Sequence, residues 1–172
     1  MISPVLTTNR LTLCVPNAGD YETMASYYAT DRSKWVGGLM SRTESFGLLA
    51  SIIGHWALRG FGLFSVKVNH ELQPCAMVGI GHPEGVPEPE LSWAVWNTSH
   101  EGKGIAKEAA IVAREFYYNE IGGKSLVSYI HPDNVKSIAL AEKLGTVVDT
   151  TAATPRNNNS IVYRHPAPEA LL

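Results

Sequence analysis

Several things are scarce in this chain, and each scarcity excludes a class of function. Positive charge is the first: 14 Lys and Arg stand against 16 Asp and Glu, a formal net charge of −2, and no run of basic residues occurs. Domains held on nucleic acid by phosphate contacts display a basic excess or stripe, so no nucleic-acid partner is expected. Long apolar runs are also missing. None reaches bilayer-spanning length, and Met1 to Arg10 lacks a basic segment followed by an apolar one, so the expectation is a soluble, cytoplasmic protein with no membrane partner. Only two cysteines occur, Cys14 and Cys75, both inside apolar strand-like runs, which fits small buried hydrophobes in a reducing compartment. The six histidines include no pair with zinc-ligand spacing, so no metal is expected.

What is present suits one core. With 172 residues and 45% hydrophobic content, the chain reads as a single domain over residues 1–172. Arg10 to Val15 alternates as a first strand, and Ala18 to Tyr28 is a short helix with Asp20 at its start. After Gly37-Gly38, Ser41-Arg-Thr-Glu44 has the form of a capping box. The helix that follows runs to Arg59, with Phe46, Leu49, Ile52, Ile53, Trp56 and Ala57 at helical spacing for packing on a sheet. Gly60 to Val68 and Pro74 to Ile80 form an antiparallel hairpin, and the proline-rich His82 to Pro89 is a loop. Glu90 to Trp96 is the next strand, and Gly104 to Glu120 a helix stopped by Gly122-Gly123. A strand at Ser125 to Ile130, a helix from Asn134 to Leu144 and two last strands, Thr146 to Thr151 and Ser160 to Arg164, complete the order. The fold class is therefore α/β (α+β), one mixed and mostly antiparallel sheet of about six to seven strands with about four helices.

The stretch that carries chemistry is Glu101-Gly102-Lys103-Gly104-Ile105-Ala106, where strand gives way to helix. Two glycines and an alanine at a helix start leave several amides outward-facing with no Cβ in the way, and Lys103 and Lys107 add charge. Such a turn favours an anion such as a pyrophosphate, although Gly-x-Gly before a helix also serves as a plain tight connection.

These residues resemble the Gln/Arg-x-x-Gly-x-Gly/Ala signature of the GNAT superfamily of acetyl-CoA-dependent N-acetyltransferases. The strand Glu90-Leu-Ser-Trp-Ala-Val95 and the later segment Asn134-Val-Lys-Ser137 to Gly145 resemble its ribosomal-protein N-terminal acetyltransferase (RimJ/RimL-like) branch. The resemblance implies a GNAT fold and acetyl-CoA as co-substrate, bound through Gly102, Lys103, Gly104, Ile105, Ala106 and Lys107. It implies that the strand before the loop splays from its neighbour and offers backbone groups at Ala94, Val95 and Trp96 to the pantetheine arm, with Asn134 contacting that arm. The acceptor would be an amine, on a protein N-terminus or a small molecule. Two positions depart from the pattern: Glu101 stands where the family has Gln or Arg, and Ala141 where many relatives carry a tyrosine acid.

Acetyl transfer needs an amine stripped of its proton, a polarised thioester and a proton for the departing thiolate. Glu90, at the strand start, is the candidate base, the alternative being a salt-bridged rim carboxylate; His82, His100 and His131 are rivals. Ser137 could direct its hydroxyl at the sulfur, or simply be a small polar residue of a first turn. Asn134 is also a good N-cap. Trp35 and His82 are candidates for the acceptor wall, with core packing the other reading of Trp35. Two further functions stay open: a catalytically silent acyl-CoA-binding or sensing domain, and a nucleotide-binding domain, against which the missing Gly-x-Gly-x-x-Gly counts. The acceptor is not named by these residues, and a homodimer is left open.

Overall fold

The computed structural model describes residues 3–155 and 159–171. Eight strands make one sheet in the order β1-β2-β3-β4-β5-β6-β8-β7. They are β1 (Val5–Thr7), β2 (Leu11–Cys14), β3 (Leu63–Val68), β4 (Ala76–Gly81), β5 (Glu90–Val95), β6 (Val127–Ile130), β7 (Val147–Val148) and β8 (Ile161–Arg164). Neighbours are antiparallel except β5 and β6, which are parallel. The helices are α1 (Tyr21–Tyr28), α2 (Arg42–Arg59), α3 (Ile105–Asn119) and α4 (Val135–Lys143).

Alternation along the strands separates two cores. Leu11, Leu13, Phe64, Val66, Val78, Ile80 and Leu91 face α3, which meets them with Ile105, Ala109, Ala110 and Ala113; the small side chains let that helix lie close to the sheet. On the other face Met77 and Ala94 meet Met24, Tyr27 and Tyr28 of α1 and Leu49 and Ile52 of α2. β5 thus sends Leu91, Trp93 and Val95 one way and Glu90, Ser92 and Ala94 the other. The floor beneath that second face needs a glycine at position 79, since a Cβ there would lie 2.5 Å from Gly62 O.

The expected capping box is present: Ser41 Oγ accepts from Glu44 N–H and the Glu44 carboxylate accepts from Ser41 N–H. Some expectations need correction. Asn17 rather than Asp20 caps the first helical segment, a 3-10 turn at Ala18–Asp20 running into α1. Of the apolar positions on α2 only Leu49, Ile52 and Trp56 are buried; Phe46 is 60% exposed, because the helix covers the sheet margin with a narrower stripe than its sequence offers. β1 adds a strand that a three-residue edge segment does not announce, and the strand expected over Thr146 to Thr151 contracts to Val147–Val148 where Asp149 turns the chain. Part of the Thr/Pro/Asn loop joining the last strands lies outside the described residues. Among the described residues, no helix is long and apolar enough to cross a membrane.

Candidate active site

The site exists because β5 and β6 part. Glu90 pairs with Val127, and no further residue of the two strands is in register, so the sheet opens as a wedge from that point. The wedge leads into a cleft of about 340 Å³ between β5, β6, the start of α4 and the α1–α2 side. A side chain stands in for the missing ladder at its apex. Ser128 Oγ–H donates to Leu91 O at 2.5 Å and lies 3.0 Å from His165 Nε2, while Arg114 Nη1 lies 3.3 Å from His165 Nδ1 and donates to Leu144 O at 2.8 Å. These bonds assign one tautomer: His165 Nε2–H donates to Ser128 and Nδ1 accepts from Arg114. Burial first, and the Arg114 charge second, push the His165 pKa down to about 3, so the ring stays neutral.

Glu90 lines this cleft, with Ser92 and Ala94 beyond it on the same strand face. Burial pushes its carboxyl up to about 7, and the Tyr129 backbone N–H pulls back only part of that shift. The rim-carboxylate alternative describes its neighbour instead: Glu88 is bound by Arg164 at 2.8 and 2.9 Å and by Ser125 at 2.7 Å.

On the opposite wall Asn134 caps α4 by accepting from Ser137 N–H at 3.3 Å, which leaves the donor end of its amide for a ligand. Trp93 Nε1–H donates to Ser137 Oγ at 3.1 Å, so the Ser137 hydroxyl hydrogen is available to a third group. Both residues line the cleft. Ala141 is buried against Ile130 and Tyr163, with no phenol of its own to offer. Trp35 also lines the cleft, half-exposed, its ring stacked on His131 at 4.7 Å between centroids.

At the far end the glycines of the loop take the left-handed conformation, Gly102 at φ 73° and Gly104 at φ 78°, where a Cβ is strained. Gly104 starts α3 with no side-chain cap, so the first-turn amides face outward at the positive end of a 15-residue helix. Lys103 contributes its carbonyl to Arg10 Nη1 at 3.1 Å, Lys107 is exposed, and the Ile105 side chain belongs to the core. Glu101 turns away from the loop amides: Arg32 Nη2 holds it at 2.5 Å and Lys136 Nζ at 3.1 Å, and these bonds, Arg32 first, keep its carboxyl below the usual range.

Some expected site residues have other engagements. His82 lies outside the cleft: its ring Nε2 sits 3.1 Å from Val86 O and its backbone N–H donates to His55 Nε2, so it holds the proline-rich loop. Trp96 is buried in the α1–α2 core, its backbone N–H donating to Cys75 O and its carbonyl accepting from Arg32 at 2.5 Å. Val95 O accepts from the same guanidinium at 2.8 Å. His100 is also remote, 3.1 Å from Glu71. Sequence reasoning missed Arg32, Ser128 and His165, whose partners lie 30 or more positions away along the chain; Arg32 reaches carbonyls 63 and 64 positions on.

The splayed parallel pair and the glycine-rich helix start beside it both fall within the part of the chain that matches a known family. Residues 10–147 match the model of the acetyltransferase (GNAT) domain, and the chain belongs to that family. An acetyltransferase from Agrobacterium tumefaciens is 33% identical, with 95% of this chain and 94% of that one covered at a TM-score of 0.87. The ribosomal-protein-S5-alanine acetyltransferase of Vibrio fischeri (15% identity, 97% and 98% covered, TM-score 0.73) and RimL, a ribosomal L7/L12 α-N-protein acetyltransferase (12%, 96% and 94%, TM-score 0.73), share the fold.

Proposed function

We propose that this protein is a cytoplasmic enzyme that transfers the acetyl group of acetyl-CoA to a primary amine by direct attack in a ternary complex. The observation that carries the reading is Glu90: an acid facing a largely apolar cleft at the mouth of the strand wedge, with its pKa raised to about 7. A carboxylate tuned to neutral pH can take the proton an alkyl ammonium must lose. The family supplies acetyl-CoA as co-substrate, and the residues present fit it. The outward amides from Gly102 to Lys107 suit the pyrophosphate, and the open edge of β5 near Ala94 and Val95 suits the pantetheine amides. Because Arg32 already holds the carbonyls of Val95 and Trp96, and Ala94 is in register with Met77 of β4, the arm would bind at the unpaired backbone of the β6-facing edge rather than at those groups.

In the reaction the amine nitrogen forms the new N–C bond to the thioester carbonyl and the C–S bond breaks, its electron pair leaving with sulfur. One ammonium proton goes to Glu90 before attack, directly or through water; the second, shed by nitrogen once the N–C bond has formed, reaches the thiolate by way of the Ser137 hydroxyl, which gives one proton and takes one. Neither cysteine lines the cleft, and Cys75 is buried with its thiol pushed up to about 11, which supports direct transfer over an acyl-enzyme.

The test is thiol release from acetyl-CoA across a panel of amines and N-terminal peptides, with wild type and Glu90→Gln side by side. Amine-dependent release that falls by about 10²-fold in the variant, with acetyl-CoA binding retained, supports the reading. Tight acetyl-CoA binding with no amine-dependent release would make the chain a silent acyl-CoA-binding domain instead.

A further inference from the structure

Resting on the acetyltransferase reading, the geometry points to a small primary monoamine on an uncharged, apolar body as the acceptor, its nitrogen at Glu90 and its body against Tyr28, Trp35, Met40 and Ile52. The inference comes from the inventory of charge in the cleft. Among the described residues that line it, Glu90 is the single carboxylate, and none is lysine or arginine. Outside the lining, Glu22 is held by Arg42 at 2.6 Å, Glu88 by Arg164 and Glu101 by Arg32 and Lys136, while Asp133 stands out in solvent 3.8 Å from His131.

A polyamine or an aminoglycoside therefore has one counter-charge for its first ammonium and none for its second. The cation nearest the wall makes this worse, since the Lys34 ammonium sits 4.6 Å from the Trp35 ring centroid. An α-amino acid fails for the opposite reason. Its carboxylate is carried on the carbon that bears the amine, so it would lie beside Glu90 with like charge and no lysine or arginine of the lining to meet it.

Two hydroxyls of the lining are already spent. Tyr28 spends its hydroxyl on Val36 O at 3.2 Å, and Ser128 spends its own on Leu91 O. A peptide N-terminus brings an amide on the same carbon, and Met40, Leu48 and Ile52, which face the body of the amine, have no polar group to meet it. Size agrees. The cleft of about 340 Å³ lies at the small end of ligand sites, and the acetyl end of the coenzyme takes part of it. The Trp35–His131 stack joins the two walls across the opening and offers an aromatic face to the body of the amine.

The experiment uses the intact protein, acetyl-CoA and matched pairs that differ by one charge: 2-phenylethylamine against phenylalanine, butylamine against butane-1,4-diamine, and a tripeptide with a leading Met. The neutral-bodied member of each pair should have the higher kcat/KM, by about 10²-fold where the added charge is left unpaired. Equal or better turnover of the charged members, or a preference for the tripeptide, overturns the inference while leaving the acetyltransferase reading intact. No transfer to any amine in the panel, with acetyl-CoA bound, overturns both. A specificity swap adds a readout that loss of structure cannot imitate. Met40→Asp puts a second acid in the wall and should raise the butane-1,4-diamine to butylamine ratio at least about tenfold; an unchanged ratio in an active variant counts against the placement of the body.

Discussion

The two edges of β5 carry the same six residues and do opposite things. Toward β4 every residue from Glu90 to Val95 has a registered partner, whereas toward β6 only Glu90 does. The closed edge ties the strand to the α3 core, with Leu91 fully buried, and the open edge gives its backbone to a ligand. Stability and binding are thus divided across one strand, and substitutions a single residue apart should separate them.

The largest effect is expected on the closed side. Leu91→Ala removes a side chain with no exposed surface and should cost about 3 kcal/mol of stability by chemical denaturation, a typical value for a filled core position. One residue earlier, Glu90→Gln should leave the fold in place and cut turnover by about 10²-fold. Its pH signature runs in a definite direction. The folded-state pKa of Glu90 is raised, to about 7 from 4.5, so the folded state holds the proton longer than the unfolded one. Its contribution to stability is full below pH 4.5 and is lost as pH rises through 7, while activity through the base rises over the same window. In Glu90→Gln both slopes should flatten; a wild-type stability curve level between pH 4.5 and 7 would contradict the assignment.

Ser128→Ala attacks the apex where the edges diverge. It leaves Leu91 O and His165 Nε2–H without their partner, at about 2 kcal/mol, and should raise the KM for acetyl-CoA, as the wedge loses its fixed angle. Ser137→Ala touches only the open side: about a tenfold drop in kcat is expected, with acetyl-CoA affinity nearly unchanged, as measured by single-turnover kinetics and calorimetry. The smallest effect belongs to Glu101→Gln. Releasing Arg32 and Lys136 from the carboxylate turns two cations toward the phosphate loop, and acetyl-CoA should bind a few-fold tighter, more so at low salt.

The same contrast explains what could be read from the residues. Elements with strong local signals were legible: the Ser41 capping box, the Gly102 and Gly104 turn and the Asn134 cap. The acid, Ser137, Asn134 and Trp35 do meet at one cleft. The wedge itself has no local signature, because an unmade strand pair looks like any other strand. His82 misled because a histidine beside a proline-rich loop reads the same whether it faces a ligand or, as here, fastens that loop to Val86 and His55. Arg32, from the connection after α1, has no periodicity to betray its grip on Val95 and Trp96.

The chain of hydrogen bonds from Arg114 through His165 and Ser128 to Leu91 O has a consequence for how the protein would meet a ligand. Each of its members is buried, and the histidine remains uncharged far below neutral pH. The opening angle of the wedge is therefore set when the chain folds, and the slot waits for its occupant instead of forming around it. Little conformational freedom is left to be surrendered on binding, which favours affinity. Acidification from pH 8 to 6 protonates Glu90 without altering that angle, so a fall in rate across this range should come with almost no change in acetyl-CoA affinity.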